Sequence, residues 1–131
     1  MNIALGIGCD RGTPAATIAR CIAEALAACG ATLADVRAVA SIDLKANETG
    51  MQEVARTHRW TIRFYPAADL ARVAVPNPSE TVRRHTGTPS VAEAAALLAA
   101  GAGMSQLLIE KHKLRGPDGR NATISIARMP Q

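Results

Sequence analysis

Short runs of apolar residues alternate along the chain with longer segments in which apolar residues recur at helical spacing. Residues 3–8, 36–42 and 61–64 predict buried strands, since each run is short and apolar. Residues 107–111 and 122–127 predict two further strands, joined by a turn rich in glycine and proline. The intervening segments show the three- and four-residue spacing of helices that bury one face.

The predicted elements follow one another as β-α-β-α-β-α-α-α-β-β. This order predicts an α/β fold with three layers, α/β/α, whose mixed sheet is mostly parallel and includes a C-terminal antiparallel hairpin. A chain of 131 residues fits one domain, 1–131. Ligands of such sheets bind beyond the carboxyl ends of the parallel strands. We therefore expect a site formed by the loops 9–13 and 43–48 and by the polar stretch around Asn77.

Residues that can cap a helix precede four of the five predicted helices. Caps are expected at Thr13, Asn47, Asn77 and Ser90. Several of the helices are rich in alanine, which suits close packing in a core and equally the interface of a homodimer.

Charge and composition narrow the class of partner. Fifteen basic residues against 11 acidic ones give a net charge of +4, which favours anionic partners. The basic residues are spread along the chain and only three residues are aromatic, so nucleic acid is not expected. No apolar run reaches the ~18 residues of a membrane helix, and no secretory leader is evident, so no membrane association is expected.

The cysteines and histidines also lack the spacing of known sites. Three cysteines without a paired motif predict no disulfide framework and favour the reducing cytoplasm. The three histidines are far apart in sequence, so we expect no metal site. No cofactor is expected either.

The first candidate site is the glycine-rich turn after the first strand. Gly8, Gly12 and the backbone up to Thr13 let a ligand approach closely, and Arg11 adds a charged fork for an anion. The glycine spacing matches neither the dinucleotide fingerprint nor the P-loop, and an ordinary strand-to-helix turn explains it equally well. Cys9 is either a nucleophile activated by the helix that follows or a small residue that packs beneath the turn.

The second candidate site follows the second strand. Asp43, Lys45 and Glu48 bring two carboxylates and an ammonium group to the carboxyl edge, where they bind a polar ligand or transfer a proton. The alternative is a surface ion pair that contributes little energy.

Two further segments supply polar groups at the same edge. Asn77 and Ser79 stand at a helix start whose free N–H groups suit a carboxylate. Strand alternation places Lys111 and Lys113 on one face of the fourth strand and His112 on the other. The two lysines predict either an anion site or charged protection of a sheet edge.

Five segments of the chain, in order and in register, resemble motifs of one family. They are residues 6–13 (GIGCDRGT), 41–48 (SIDLKANE), 75–80 (VPNPSE), 88–96 (TPSVAEAAA) and 107–113 (LLIEKHK). The family comprises the C-terminal domain of CbiG and its free-standing relative CobE, proteins of cobalamin (vitamin B12) biosynthesis. The resemblance extends over nearly the whole chain.

The resemblance implies a precorrin-type tetrapyrrole as ligand, and other enzymes of the pathway as partners. Such macrocycles carry many carboxylates, for which Arg11, the backbone of residues 8–13, Lys45 and Lys111 are suitable partners. Because the chain has only the length of the C-terminal domain, a CobE-type accessory or carrier in the oxygen-dependent pathway is favoured.

The alternative that the resemblance offers is a hydrolase. CbiG proteins open the ring A lactone of a cobalt-precorrin and release acetaldehyde. Asp43 would then be the general base, or Cys9 the nucleophile, and Lys45 would stabilise developing negative charge. A generic nucleotide- or phosphate-binding module is a third hypothesis.

Overall fold

Five strands form one mixed sheet in the computed structural model, which describes residues 1–130. The strands are β1 (Ile3–Cys9), β2 (Val36–Ile42), β3 (Ile62–Tyr65), β4 (Leu107–Arg115) and β5 (Asn121–Arg128). Their order across the sheet is β3-β2-β1-β5-β4. The first three are parallel to one another, and β5 is antiparallel to both β1 and β4. The predicted sheet, mostly parallel with a terminal antiparallel hairpin, is confirmed.

Helices cover both faces of this sheet. They are α1 (Ala15–Ala28), α2 (Thr49–His58), α3 (Ala67–Ala71), α4 (Glu80–Thr86) and α5 (Val91–Ala100). α1 and α2 pack on one face, and α5 packs on the other with α3 against it. The predicted three-layer α/β/α arrangement is confirmed. None of the helices within residues 1–130 combines the length and apolar character that a bilayer span requires.

The two faces of the sheet differ in the size of their side chains. Ile3, Leu5 and Ile7 of β1 point to the face of α1 and α2. On the other face β1 presents Ala4 and Gly6, and eight of the ten residues of α5 are buried against it. Because both surfaces consist of small residues, α5 lies very close to the sheet. The alanines of α5 therefore belong to the core of the chain.

Close packing of α5 explains a glycine in the middle of β1. A Cβ atom at Gly6 would overlap the carbonyl oxygen of Ala92 and crowd the backbone nitrogen of Ala96. Any side chain at this position would push the helix away from the sheet.

The N-caps predicted for α1 and α2 are wrong. Pro14 occupies the N-cap position of α1, and the Thr13 hydroxyl donates instead to the carbonyl of Asp10 at 2.7 Å. Glu48, not Asn47, occupies the N-cap position of α2. In both places a capping residue was assigned from its type alone, whereas its neighbours in space decide where its side chain bonds.

Of the two caps predicted for the later helices, the one at Asn77 is wrong and the one at Ser90 is correct in position only. Ser79, not Asn77, caps α4, and its Oγ accepts from the backbone N–H of Val82 at 3.3 Å. Ser90 occupies the N-cap position of α5, but its hydroxyl donates to the Glu93 carboxylate at 2.9 Å rather than capping the helix.

β4 is longer than the predicted strand and contains two irregularities. Its register against β5 shifts between Leu107 and Ile109 and again between Ile109 and His112. The second shift brings two successive residues, Glu110 and Lys111, into contact with the same segment of chain, the loop before α4. A regular strand would turn successive side chains to opposite faces.

Candidate functional site

A cleft of about 400 Å³ lies beyond the carboxyl ends of β1 and β2. One wall consists of α4 and the first turn of α5, and the other consists of the second half of β4 and the start of β5. This is the edge at which open α/β sheets bind their ligands. The loops 9–13 and 43–48 meet there, because β1 and β2 are parallel neighbours.

The loop after β1 is anchored at both ends by carboxylates. Oδ2 of Asp10 accepts from the backbone N–H of Asn121 at 2.7 Å and from its side-chain Nδ2 at 3.1 Å. The N–H of Gly12 donates to Oε1 of Glu48 at 2.9 Å, and Gly12 has a φ of 76°, which favours glycine. Arg11 lies between these two anchors, and it lines the cleft.

Four basic side chains line the cleft from three separate segments: Arg11, Lys45, Lys111 and Lys113. Within residues 1–130 none of their charged nitrogens has a carboxylate oxygen within 4.0 Å. Asp10 is the one acidic residue among the described residues that line the cleft, and Asn121 already binds its carboxylate. The residues that line the cleft thus include four cationic side chains and one carboxylate, and this net positive charge attracts a ligand that carries several anionic groups.

The floor of the cleft is open at Gly8. A Cβ atom there would meet only Cβ of Thr123 at 3.8 Å and Cβ of Ala92 at 4.0 Å, both ordinary van der Waals contacts. The packing of the protein thus permits a side chain at Gly8, in contrast to Gly6. The absence of a side chain leaves space between β1 and α5 for a ligand, beside the apolar surface of Ile42.

α4 contributes lining residues that were not foreseen in the sequence. Thr81, Val82, His85 and Thr86 all line the cleft. They occupy two adjacent pairs of positions one helical turn apart, so they share one face of the helix. The sequence contains this spacing. In a helix of seven residues, however, the neighbouring sequence does not indicate which face turns towards the cleft.

Of the two residues proposed for catalysis, Cys9 and Asp43, only Cys9 lines the cleft. Cys9 lines the cleft, but burial raises the pKa of its thiol to about 11, although the positive charge of Lys45 acts in the opposite direction. The thiol is therefore protonated at neutral pH and is a poor nucleophile. Asp43 lies on an exposed 3-10 turn, Asp43–Lys45, and does not line the cleft.

A buried carboxylate fixes the loop before α4. Glu93 of α5 is fully buried, and its Oε2 accepts from Nδ2 of Asn77 at 2.7 Å. The same nitrogen of Asn77 donates to Oε1 of Glu110 at 2.9 Å, and Nζ of Lys111 donates to the Asn77 carbonyl at 2.9 Å. We call these four residues the Asn77 network. It attaches the loop that leads into α4, and hence one wall of the cleft, to α5 and β4.

The structure divides the twelve predicted ligand-binding residues into two sets. Six line the cleft: Gly8, Cys9, Arg11, Lys45, Lys111 and Lys113. The others lie outside it: Gly12, Thr13, Asp43, Glu48, Asn77 and Ser79. Apart from Asp43, the second set forms hydrogen bonds that hold the loops around the cleft.

The strand alternation predicted for β4 holds at the cleft. Lys111 and Lys113 line the cleft, whereas Nε2 of His112 lies 2.8 Å from Oε1 of Glu24 on α1, at the opposite face. In the described part of the chain, no three His, Cys, Asp or Glu side chains converge in a way that could hold a metal ion.

The fold and the cleft define an α/β protein with a basic site at the carboxyl edge of a mixed sheet. Residues 3–127 match the family model described as cobalamin synthesis G C-terminus. The chain belongs to this family, as the five sequence motifs predicted, and the chain is thus a cobalamin biosynthesis protein.

Individual relatives agree with this assignment. Protein CobE of Sinorhizobium sp is 42% identical over 102 residues, which cover 76% of this chain and 66% of that protein. Cobalt-precorrin-5A hydrolase of Priestia megaterium is 37% identical over 128 residues, or 98% of this chain but only 32% of the hydrolase. The chain therefore spans about a third of the hydrolase and about two thirds of that CobE.

A solved structure confirms the fold. The crystal structure of CobE, a protein from the cobalamin biosynthetic pathway, superposes with a TM-score of 0.78 at 35% identity. The match covers 98% of this chain and 91% of that chain.

Proposed function

We propose that the cleft binds one edge of a precorrin-type tetrapyrrole through its peripheral carboxylates, and that the chain is an accessory or carrier in cytoplasmic cobalamin biosynthesis. The observation that carries the proposal is the set of four basic side chains without carboxylate partners, Arg11, Lys45, Lys111 and Lys113, around a floor opened by Gly8. Guanidinium and ammonium groups are the usual protein partners of carboxylates.

The size of the cleft favours partial enclosure of such a ligand. At about 400 Å³ it lies near the lower end of the ~300–1,000 Å³ range of small-molecule sites. It accommodates one side of a large flat macrocycle and leaves the other side in solvent. A ligand held in this way remains accessible to a second protein, which suits transfer to another enzyme of the pathway.

Hydrolysis of a precorrin lactone is the second candidate, because the chain is similar to part of a cobalt-precorrin-5A hydrolase. The cleft offers few groups for that reaction. The Cys9 thiol is protonated and Asp43 lies outside. Of the side chains that line the cleft, the imidazole of His85 is the one that enzymes use most often to transfer protons.

The test is a titration of the purified protein with precorrin intermediates, followed by the visible absorption of the ligand. A carrier gives a stoichiometric spectral shift that stays constant for hours. Progressive conversion to a new chromophore at substoichiometric protein would instead establish an enzyme. The absence of any change with all intermediates would overturn the proposed site.

Variants and a modified ligand test the carboxylate contacts. Arg11→Gln or Lys113→Gln should each weaken binding about tenfold or more, since a hydrogen bond to a charged group contributes about 1.5–3 kcal/mol. Arg128→Gln is the matched control, because Arg128 is exposed at the opposite end of β5. The methyl ester of the same precorrin, which lacks the negative charges, should bind the native protein and the variants equally weakly.

A further inference from the structure

A second pocket lies at the other end of the sheet, at the amino ends of β2 and β3. Its volume is about 410 Å³, and it is lined in part by Arg37, Arg59, Trp60 and Arg63, which we call the arginine notch. The notch exists because β2 begins at Val36, whereas its pairing with β3 begins only at Val39. The first residues of β2 therefore have no strand beside them on that side.

The three guanidinium groups of the notch are not neutralised within the described chain. None of Arg37, Arg59 and Arg63 has a carboxylate oxygen within 4.0 Å among residues 1–130. The one hydrogen bond of the structure from these side chains joins Nε of Arg37 to Oδ1 of Asn2 at 3.1 Å. Three like charges around one pocket repel one another, and an anion placed between them removes that repulsion.

The backbone of Arg59 gives independent support. Arg59 has a φ of 57°, the single positive value for a non-glycine residue in residues 1–130. It ends α2 in the left-handed conformation that favours glycine. Gly87 and Gly101 occupy the equivalent position after α4 and α5. A glycine would be less strained at this position, so the arginine found there motivates the hypothesis that its side chain binds a ligand.

We propose that the arginine notch binds the carboxylates of an extended acidic segment of another protein, which lies along the outer edge of β3. β3 is an edge strand, so its outer backbone groups are free of any strand partner in the described sheet. An extended segment that pairs with this edge presents alternate side chains to one side. Acidic residues at those positions complement the three arginines. The notch is at the opposite end of β2 from the cleft, so both are open to occupation together.

Trp60 makes the test direct, because it is the only tryptophan of the chain and lines the notch. The full chain is titrated with an eight-residue peptide of alternating Glu and Val, and tryptophan fluorescence is recorded. We expect a saturable change with this peptide. The matched peptide with Gln in place of Glu should bind at least tenfold more weakly. Equal binding of the two peptides would overturn the proposal.

Other anions separate the proposed occupant from its alternatives. Inorganic phosphate and a single-stranded oligonucleotide are titrated under the same conditions. Saturation by phosphate at concentrations at which the acidic peptide does not bind would indicate a small-anion site and overturn the proposal. Stronger binding of the oligonucleotide than of the peptide would indicate a nucleic-acid surface and would also overturn it.

Arg59→Gly distinguishes a binding residue from a structural one. Glycine relieves the left-handed backbone, so the urea midpoint should stay the same or rise, while peptide affinity should fall at least tenfold. Arg63→Gln should show the same loss of affinity. Arg56→Gln is the matched control, since Arg56 is exposed on the last turn of α2 and does not line the notch. A fall in the midpoint of Arg59→Gly with unchanged affinity would assign Arg59 a purely structural role.

Discussion

Gly6 and Gly8 lie two residues apart on β1, yet the space around their Cα atoms differs. At Gly6 a methyl group would overlap the backbone of α5, so Gly6→Ala should destabilise the fold by about 3 kcal/mol or more. At Gly8 the methyl group has room, and Gly8→Ala should be neutral or should stabilise by up to about 1 kcal/mol. Urea unfolding of both variants measures the difference.

A larger residue at Gly8 tests the cleft itself. Gly8→Leu should fold but should abolish the precorrin binding proposed above, because its side chain would fill the floor between β1 and α5. Gly8→Ala serves as the control of smaller volume. Equal destabilisation by Gly6→Ala and Gly8→Ala would contradict the close approach of α5 to β1.

Residue type and position in the chain predict which side chains lie at the carboxyl edge of the sheet, but not which groups they contact. Arg11, Lys45 and Lys111 were assigned to the site because they end or follow strands at one edge, and all three line the cleft. Asn77 and Glu48 were selected by the same reasoning, yet their side chains bind other protein groups. The sequence does not show which polar groups will satisfy one another, because their partners are 16 to 36 residues away.

At the scale of the elements, the position of the loop before α4 depends on the hydrogen bonds of the Asn77 network. Asn77→Asp would place a third carboxylate beside those of Glu93 and Glu110, at the distances of 2.7 and 2.9 Å that the amide now occupies. We expect the repulsion to release residues 73–89 from α5 and β4, while the sheet stays folded. Hydrogen exchange should show faster exchange in that segment.

Asn47→Asp is the matched control for this change, because Asn47 is exposed and its side chain forms no hydrogen bond within residues 1–130. It should leave exchange of residues 73–89 unaltered. Unchanged exchange of the same segment in Asn77→Asp would show that the network does not hold the loop.

Element type and order followed from periodicity, whereas irregularities within elements did not. All five strands and five helices were predicted in the correct order. The register shifts of β4 had no local sequence cause that distinguishes them from regular strand. At the second shift, the Ser125 hydroxyl of β5 donates to the Glu110 carbonyl, a contact 15 residues away that no local pattern in β4 indicates.

For the whole molecule, the three-layer class was predictable but the order of the strands was not. Alternation of strands and helices implies a parallel sheet with helices on both faces. The insertion of β5 between β1 and β4 joins residues more than 100 positions apart, such as Ile3 and Arg128. Such pairings depend on how much apolar surface the whole fold buries. A local sequence pattern does not contain that information.

At the scale of the whole fold, Glu24 should contribute a small part of the response to acid. The hydrogen bond with His112, together with Arg20, holds the pKa of the Glu24 carboxyl below its ordinary value of 4.5. A carboxyl with a lowered folded pKa stabilises the fold above its unfolded pKa and loses that contribution as the pH falls through the folded value. Glu24→Gln should therefore lower the urea midpoint at pH 7, and the gap to the native chain should narrow towards pH 3.

Glu53→Gln provides the control, because Glu53 is exposed on α2 and its carboxylate has no hydrogen bond in the described chain. Its midpoint should follow that of the native chain at every pH. A constant gap between Glu24→Gln and the native chain from pH 7 to pH 3 would contradict the assigned direction of the pKa shift.

The central position of β5 has a consequence for the order of events during synthesis. Arg11 follows β1, Lys111 and Lys113 lie on β4, and β5 is the strand that pairs with both β1 and β4. While the ribosome has released the chain only as far as β4, the pairing of β1 with β2 joins Arg11 and Lys45, but no strand pairing joins them to Lys111 and Lys113. A nascent chain of that length therefore lacks the sheet that brings the four basic groups together, and the complete cleft forms only after residues 121–128 have emerged and paired.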